Sequence, residues 1–218
     1  MQSYKDSFTN KEFLVSFLGG VVLLGISLVV QFFITGYVAR SGSGFVTDII
    51  LSNTRVYDVG GIFVWGTVVL TIFSIWVGLK HINSAPFLMK SVALFTLIRS
   101  VFVSLTHISP FPTRAAIESL FFHKEAFYGI FTGNDLFFSG HTGIPFLLAL
   151  IFWENKTLRL IFLGFSVMFA AVVLLGHLHY SIDVLSAFFI TYSIFHICQV
   201  FFKKDWKLFN IKNNHEVL

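Results

Sequence analysis

Charge is what this chain has least of. Asp, Glu, Lys and Arg together make up 12% of its 218 residues, where ordinary soluble domains carry roughly 25%. Hydrophobic residues reach 56%, more than one globular core can hold, so lipid has to solvate much of the surface. The single cysteine, Cys198, lies in an apolar run. No disulfide framework can therefore form within the chain, and the redox compartment stays open. Nothing repeats at a fixed period and no low-complexity linker divides the sequence, so residues 1–218 are expected to form one membrane domain. The basic residues that give a net charge of +4 are dispersed among short loops, a pattern unlike a nucleic-acid footprint. Lysines precede the first apolar run, as in a secretory signal. That run is too long for a signal h-region and lacks a small-residue cleavage site, so it reads as a retained span.

What is present is apolar length. A helix needs about 20 mostly apolar residues to cross about 30 Å of hydrocarbon. Six stretches qualify: Phe13–Val38, Val59–Leu79, Phe87–His107, Leu136–Trp153, Leu158–Leu175 and Ile182–Phe202. The expected fold is an all-α integral membrane protein, six transmembrane helices in one bundle. Basic residues orient it. With the N-terminus inside, ten Lys and Arg fall on the inner side and five (Arg40, Arg55, Arg99, Arg114 and Lys124) on the outer. Both termini are then cytoplasmic, and "KKDWK" after the last span is the strongest single element of the bias.

Two polar islands interrupt the apolar runs: "NDLFFSGHTG" at residues 134–143 and "GHLHYSIDV" at 176–184. On this topology both lie at the outer membrane face, and Arg99 lies in the outer half of the third span. Ionisable groups at membrane depth cost roughly 2.5–3.5 kcal/mol or more each unless they pair or line a cavity. Their gathering at one depth predicts a shared site. His179 and Asp183 are four apart, a spacing that on a helix places them on one face. A carboxylate on one imidazole nitrogen sets the tautomer and leaves the other nitrogen free to attack. His141, beside the small residues Ser139, Gly140 and Thr142, is the candidate acid and base. Arg99 offers a permanently charged, planar donor to phosphate oxygens. Together these suffice for phosphoryl transfer through a phosphohistidine.

The motifs "DLFFSGHT" and "HLHYSIDV" resemble the two signature motifs of the sphingomyelin synthases, within the type 2 phosphatidic acid phosphatase superfamily. "IRSVFVSLTHISPFP" at residues 98–112 resembles that family's arginine-serine motif with its threonine and proline pair, and "VTDIILSNTRVYDV" at 46–59 its first-loop motif without the leading prolines. The resemblance runs from about residue 46 to 202. It implies that His179 is the nucleophile, Asp183 its orienting partner and His141 the acid/base, with no metal and no cofactor. The superfamily's usual serine–arginine pair falls here on Val172 and Val173, and no Arg-Pro dipeptide occurs. This departure favours headgroup transfer from a phosphodiester over hydrolysis of a monoester. The function implied is transfer of a phosphoryl headgroup from a glycerophospholipid to a lipid alcohol such as ceramide, at the extracytoplasmic or luminal face. The partners would be membrane lipids.

Other readings of the same residues stay open. A lipid phosphate phosphatase or phospholipase C-type hydrolase would use them with water as acceptor, and a non-catalytic lipid-binding or transport protein would not use them chemically. His141, His177, His179 and Asp183 also form a possible metal ligand set. Asp135 either holds a headgroup cation, pairs with Arg99 or Arg114, or is a favourable charge at a helix start. Tyr180 either donates to a phosphate oxygen or is an interfacial aromatic. His177 either lines the site or stands by at the interface. Asp48 and Asp58 either meet a choline or ethanolamine ammonium or are solvated loop acids.

Overall fold

The computed structural model describes residues 4–42, 44–115 and 136–213. Among these there are helices and irregular segments and no strand. A short α1 (Tyr4–Thr9) leads into α2 (Lys11–Arg40), which begins where the Asn10 side chain accepts the N–H groups of Glu12 and Phe13. α3 (Gly60–Lys80) and α4 (Ala85–Leu105) follow, joined by one tight turn at Ile82–Ser84, with Pro86 in the first turn of α4, where its missing N–H has no intrahelical partner to lose. α5 (Gly140–Ile151), α6 (Lys156–Leu175), α7 (Ser181–Phe201) and α8 (Lys203–Asn213) complete the described chain.

Among the described residues five helices are long and apolar enough to cross a membrane: α2, α3, α4 with its leading turn, α6 and α7. Leaving aside the turn before α4, their boundaries lie within about two residues of the apolar runs. The expected fourth span is different. Leu136–Trp153 is helical only over the 12 residues of α5, about 18 Å at 1.5 Å per residue, against about 30 Å of hydrocarbon. The helix starts late because Ser139 acts as its N-cap, its Oγ accepting the Thr142 N–H at 3.4 Å. It stops at Phe152, whose N–H closes on the Leu148 carbonyl. Protein surrounds it: eight of its 12 residues are buried, against α6, α7 and α4.

Outside this core the helices turn apolar side chains outward. Val15 is 71% exposed, Phe33 67%, Ile72 64% and Val200 72%, the surface a bilayer would cover. α2 packs along α4 and α3 along α6, but α2 and α3 have no extensive contact with each other. At the end of the bundle that carries α1, the Ile82–Ser84 turn and α8, Lys90 Nζ reaches Asp205 at 2.7 Å and Ser16 at 2.6 Å. Ser16 in turn donates to Asp205, so a partly buried ionic cluster ties α2, α4 and α8 together. The histidine motifs lie at the opposite end.

Candidate active site

The chain leaves α6 in a tight reversal. The Gly176 N–H donates to the Val172 carbonyl at 3.0 Å, and the N–H groups of Leu178 and His179 both donate to the Val173 carbonyl, at 2.8 and 3.4 Å. Residue 177 takes the left-handed conformation, φ 51°, that such helix ends use. His179 is thus delivered between two helices, one residue before the Tyr180 N-cap of α7. A spacing of four predicted a shared helical face; the pair meets instead across the helix start. Asp183, in the first turn and fully buried, accepts the Tyr180 N–H on Oδ2 at 2.9 Å, and the same oxygen lies 3.4 Å from His179 Nδ1. Its Oδ1 has no hydrogen-bond partner among the described residues. One carboxylate therefore starts the helix and faces the imidazole, which leaves Nε2 of His179 as the nitrogen away from it.

Arg99 and His141 come together through a glycine. Arg99 is buried and donates from Nε to the Phe138 carbonyl at 2.7 Å, which ties α4 to the entry of α5. A Cβ on Gly140 would stand 3.2 Å from that Nε and 3.5 Å from the guanidinium carbon, so the absent side chain lets the arginine lie against the helix start. His141 follows, its ring packed against Phe63 at 4.4 Å and Phe169 at 5.6 Å between centroids. Deeper along α5, a Cβ at Gly143 would come within 2.7 Å of the Phe95 ring and 2.9 Å of the Thr191 hydroxyl, so α4 and α7 close on the helix there.

Arg99, Gly140, His141 and His179 all line one cavity of about 830 Å³. Arg114 lines it too, a residue the sequence reading treated only as an outer basic residue or a partner for Asp135. Nothing in its sequence neighbourhood marks it; the loop after α4 brings it in. Three other candidates are placed elsewhere. Ser139, fully buried, caps α5 and donates its own N–H to the Asp183 carbonyl at 3.1 Å. Tyr180 donates its hydroxyl to the Ser109 carbonyl at 2.7 Å. His177 sets Nδ1 2.6 Å from Thr113 Oγ1 and packs on Phe111. None of the three is among the residues lining the cavity. Asp135 lies outside the described residues.

Asp48, weighed above as an ammonium contact or a solvated acid, is buried and structural. Its Oδ2 accepts the Ser181 N–H at 2.7 Å and the Ser181 hydroxyl at 2.8 Å, and its Oδ1 accepts the N–H groups of Ile50 and Leu51. This straps the first loop to the start of α7. Burial alone would raise the carboxyl above its ordinary 3.8, but the hydrogen bonds from Ser181, Leu51 and Ile50 outweigh it and hold the pKa below that value. Burial pushes the Tyr180 phenol above its ordinary 10.0, with the charges of Asp183 and Asp48 adding to it against the Val46 N–H. The phenol therefore stays a neutral donor. Asp58 accepts the Gly60 N–H and opens α3.

Among the described residues no three His, Cys, Asp or Glu side chains gather to hold a metal ion; His177 faces Thr113 instead of joining His179. What the cavity presents is two guanidinium groups and two imidazoles, one imidazole backed by a buried carboxylate. That set can bind a phosphate ester, attack it and exchange a proton with the leaving group.

Comparison with known families agrees with this chemistry. Residues 132–200 match the family described as PAP2 superfamily C-terminal, a stretch of about a third of the chain that contains α5, α6, nearly all of α7 and both histidine motifs. The match supports the superfamily and, with it, lipid phosphatase or phosphotransferase chemistry. Comparison with curated proteins and with solved structures gives no match.

Proposed function

We propose that the protein is a membrane lipid phosphotransferase that moves a phosphoryl headgroup from a glycerophospholipid to a lipid alcohol such as ceramide through a phosphohistidine on His179. The observation that carries this is the shared cavity: Arg99, Arg114, His141 and His179 line one end of a space whose remaining wall is mostly apolar helix. His179 Nε2 attacks phosphorus while its Nδ1–H faces Asp183. The bond from phosphorus to the diacylglycerol oxygen breaks, and His141 gives that oxygen its proton. An acceptor hydroxyl then attacks the phosphohistidine, its proton passes to His141, and His179 is released neutral. Arg99 and Arg114 hold the nonbridging oxygens, where charge is spread in the transition state.

In this reading the chain spans the membrane six times, α5 being the short inner member of the bundle. Both termini are cytoplasmic, and the site opens to the extracytoplasmic or luminal side. The lysine-bearing end of the bundle, opposite the histidines, supports that orientation.

A hydrolase using the same residues is the second reading, and Arg114 favours it. A phosphate monoester carries more negative charge than a diester, and a second guanidinium in the cavity supplies compensation that the sequence alone did not reveal. Purified protein and the His179→Ala variant should be incubated with labelled phosphatidylcholine, phosphatidylethanolamine and phosphatidic acid, with and without ceramide, and the products read by lipid mass spectrometry. Headgroup transfer to ceramide that is lost in the variant supports the transferase. Free phosphate from phosphatidic acid alone establishes the hydrolase. Turnover undiminished in His179→Ala overturns the nucleophile assignment and both readings with it.

A further inference from the structure

The cavity is far longer than a phosphoryl site requires. Along α2 its wall runs from Thr35 to Phe17, 18 residues or about 27 Å. Along α3 it runs from Phe63 to Leu79, 16 residues or about 24 Å. Half of the hydrocarbon layer is only about 15 Å thick. A lipid whose phosphate sits at His141 and His179 therefore has a protein-lined path for its chain past the bilayer midplane, down to the Ile82–Ser84 turn. That turn is backed by α1 and α8.

Most of the wall suits hydrocarbon, with Gln31, Thr35 and Thr96 as polar points along it. Thr67, Thr71 and Ser74 line it, yet each hydroxyl donates to a carbonyl of its own helix, those of Phe63, Thr67 and Leu70, at 2.7 to 2.8 Å. A hydroxyl so bonded offers little to a ligand. The remaining contacts come from side chains such as Leu24, Leu28, Leu88 and Val92. A chain can enter from the side, because α2 and α3 flank the cavity without extensive contact between them.

We infer that this groove is the hydrocarbon-chain subsite of the enzyme proposed above, on which this inference rests. It takes one long chain of the substrate lipid, admitted between α2 and α3, and the inner end formed by Phe17, Gly78 and Ile82 sets the chain length preferred. Gly78 is the position that exposes this. It lines the groove, and a Cβ there meets no atom within 4 Å. A side chain at 78 would therefore start into open space on the groove wall, beside the chain's path.

The test compares Gly78→Phe with Gly164→Phe, a position on α6 that is exposed, has equally open surroundings and does not line the groove. For whichever of phosphatidylcholine, phosphatidylethanolamine or phosphatidic acid is turned over, the ratio of kcat/KM for the dioleoyl form to that for the dihexanoyl form is measured. Gly78→Phe should lower this ratio by about tenfold or more, the effect of losing two or more buried methylenes, while Gly164→Phe keeps the wild-type ratio. An unchanged ratio in Gly78→Phe, or an equal fall in both variants, overturns the inference. A second arm does not depend on turnover. Phosphatidic acid carrying a diazirine at the end of one long chain is photocrosslinked to the wild-type protein and the adducts mapped. Adducts at Phe17, Gly78 or Ile82 support the subsite, and adducts confined to outward-facing residues such as Val15, Ile72 or Val200 refute it. If no lipid is turned over but the inner-end adducts form, the catalytic reading fails and the chain subsite stands.

Discussion

Replacing Asp183 by asparagine separates the two tasks this carboxylate performs. Oδ2 both accepts the Tyr180 N–H at 2.9 Å and faces His179 Nδ1 at 3.4 Å, in a side chain with no solvent exposure. An asparagine keeps an acceptor for the Tyr180 N–H but removes the charge that favours the Nδ1–H tautomer and stabilises the imidazolium. In the serine-protease triad the equivalent loss of charge beside a catalytic histidine costs about 10⁴ in kcat. The contact here is longer, as such contacts often are before substrate binds. We expect a fall of about 10² to 10⁴ in kcat, or about 2.7–5.5 kcal/mol of barrier at 1.36 kcal/mol per decade. Stability should change by no more than about 1 kcal/mol, since the capping bond survives. Asp183→Ala leaves the Tyr180 N–H buried without its partner, and should lose about 1–3 kcal/mol of stability as well as activity. Both variants are to be compared with wild type in detergent, by lipid turnover and by thermal unfolding. An Asp183→Asn enzyme within threefold of wild type would refute the orienting role. So would activity losses in the two variants that merely follow their losses of stability.

Arg114→Gln should raise KM more for phosphatidic acid than for phosphatidylcholine, by about 10- to 150-fold if one charge-assisted bond of about 1.5–3 kcal/mol is lost; equal effects on both would remove Arg114 from phosphate binding. Asp48→Ala removes the strap to Ser181 and should destabilise the fold by about 1–2 kcal/mol at neutral pH. Because the folded-state pKa of Asp48 lies below its ordinary 3.8, its contribution is fully present above that value and is lost as pH falls through the lower folded value. The gap in thermal unfolding between wild type and Asp48→Ala should therefore be constant across neutral pH and close only below 3.8. A gap that closes on moving from neutral to weakly acidic pH would contradict the assignment.

The linear sequence determined the solvent and the parts. An excess of apolar residues over charge requires lipid, and apolar runs of about 20 residues define five long helices because in hydrocarbon the backbone must satisfy itself locally. The polar islands around His141 and His179 stood out for the same reason: such groups are too costly at membrane depth to lie there unpaired. Tertiary structure decided what neighbouring residues in those islands do. Ser139, a local cap through the Thr142 N–H, is also tied to the start of α7 by the Asp183 carbonyl, and Tyr180 is a loop anchor because the Ser109 carbonyl meets its hydroxyl; both partners are distant in sequence. The spacing of four would put His179 and Asp183 on one face of a helix, but the Val173 carbonyl holds His179 in the turn before α7. Arg114 enters the cavity, and Asp48 reaches Ser181 across 133 residues, through loops whose paths follow from packing. Local pattern carries helices and their lipid-facing surfaces, because those depend on contacts a few residues apart. A pocket is made by side chains from several helices, and their meeting is settled only when the bundle closes.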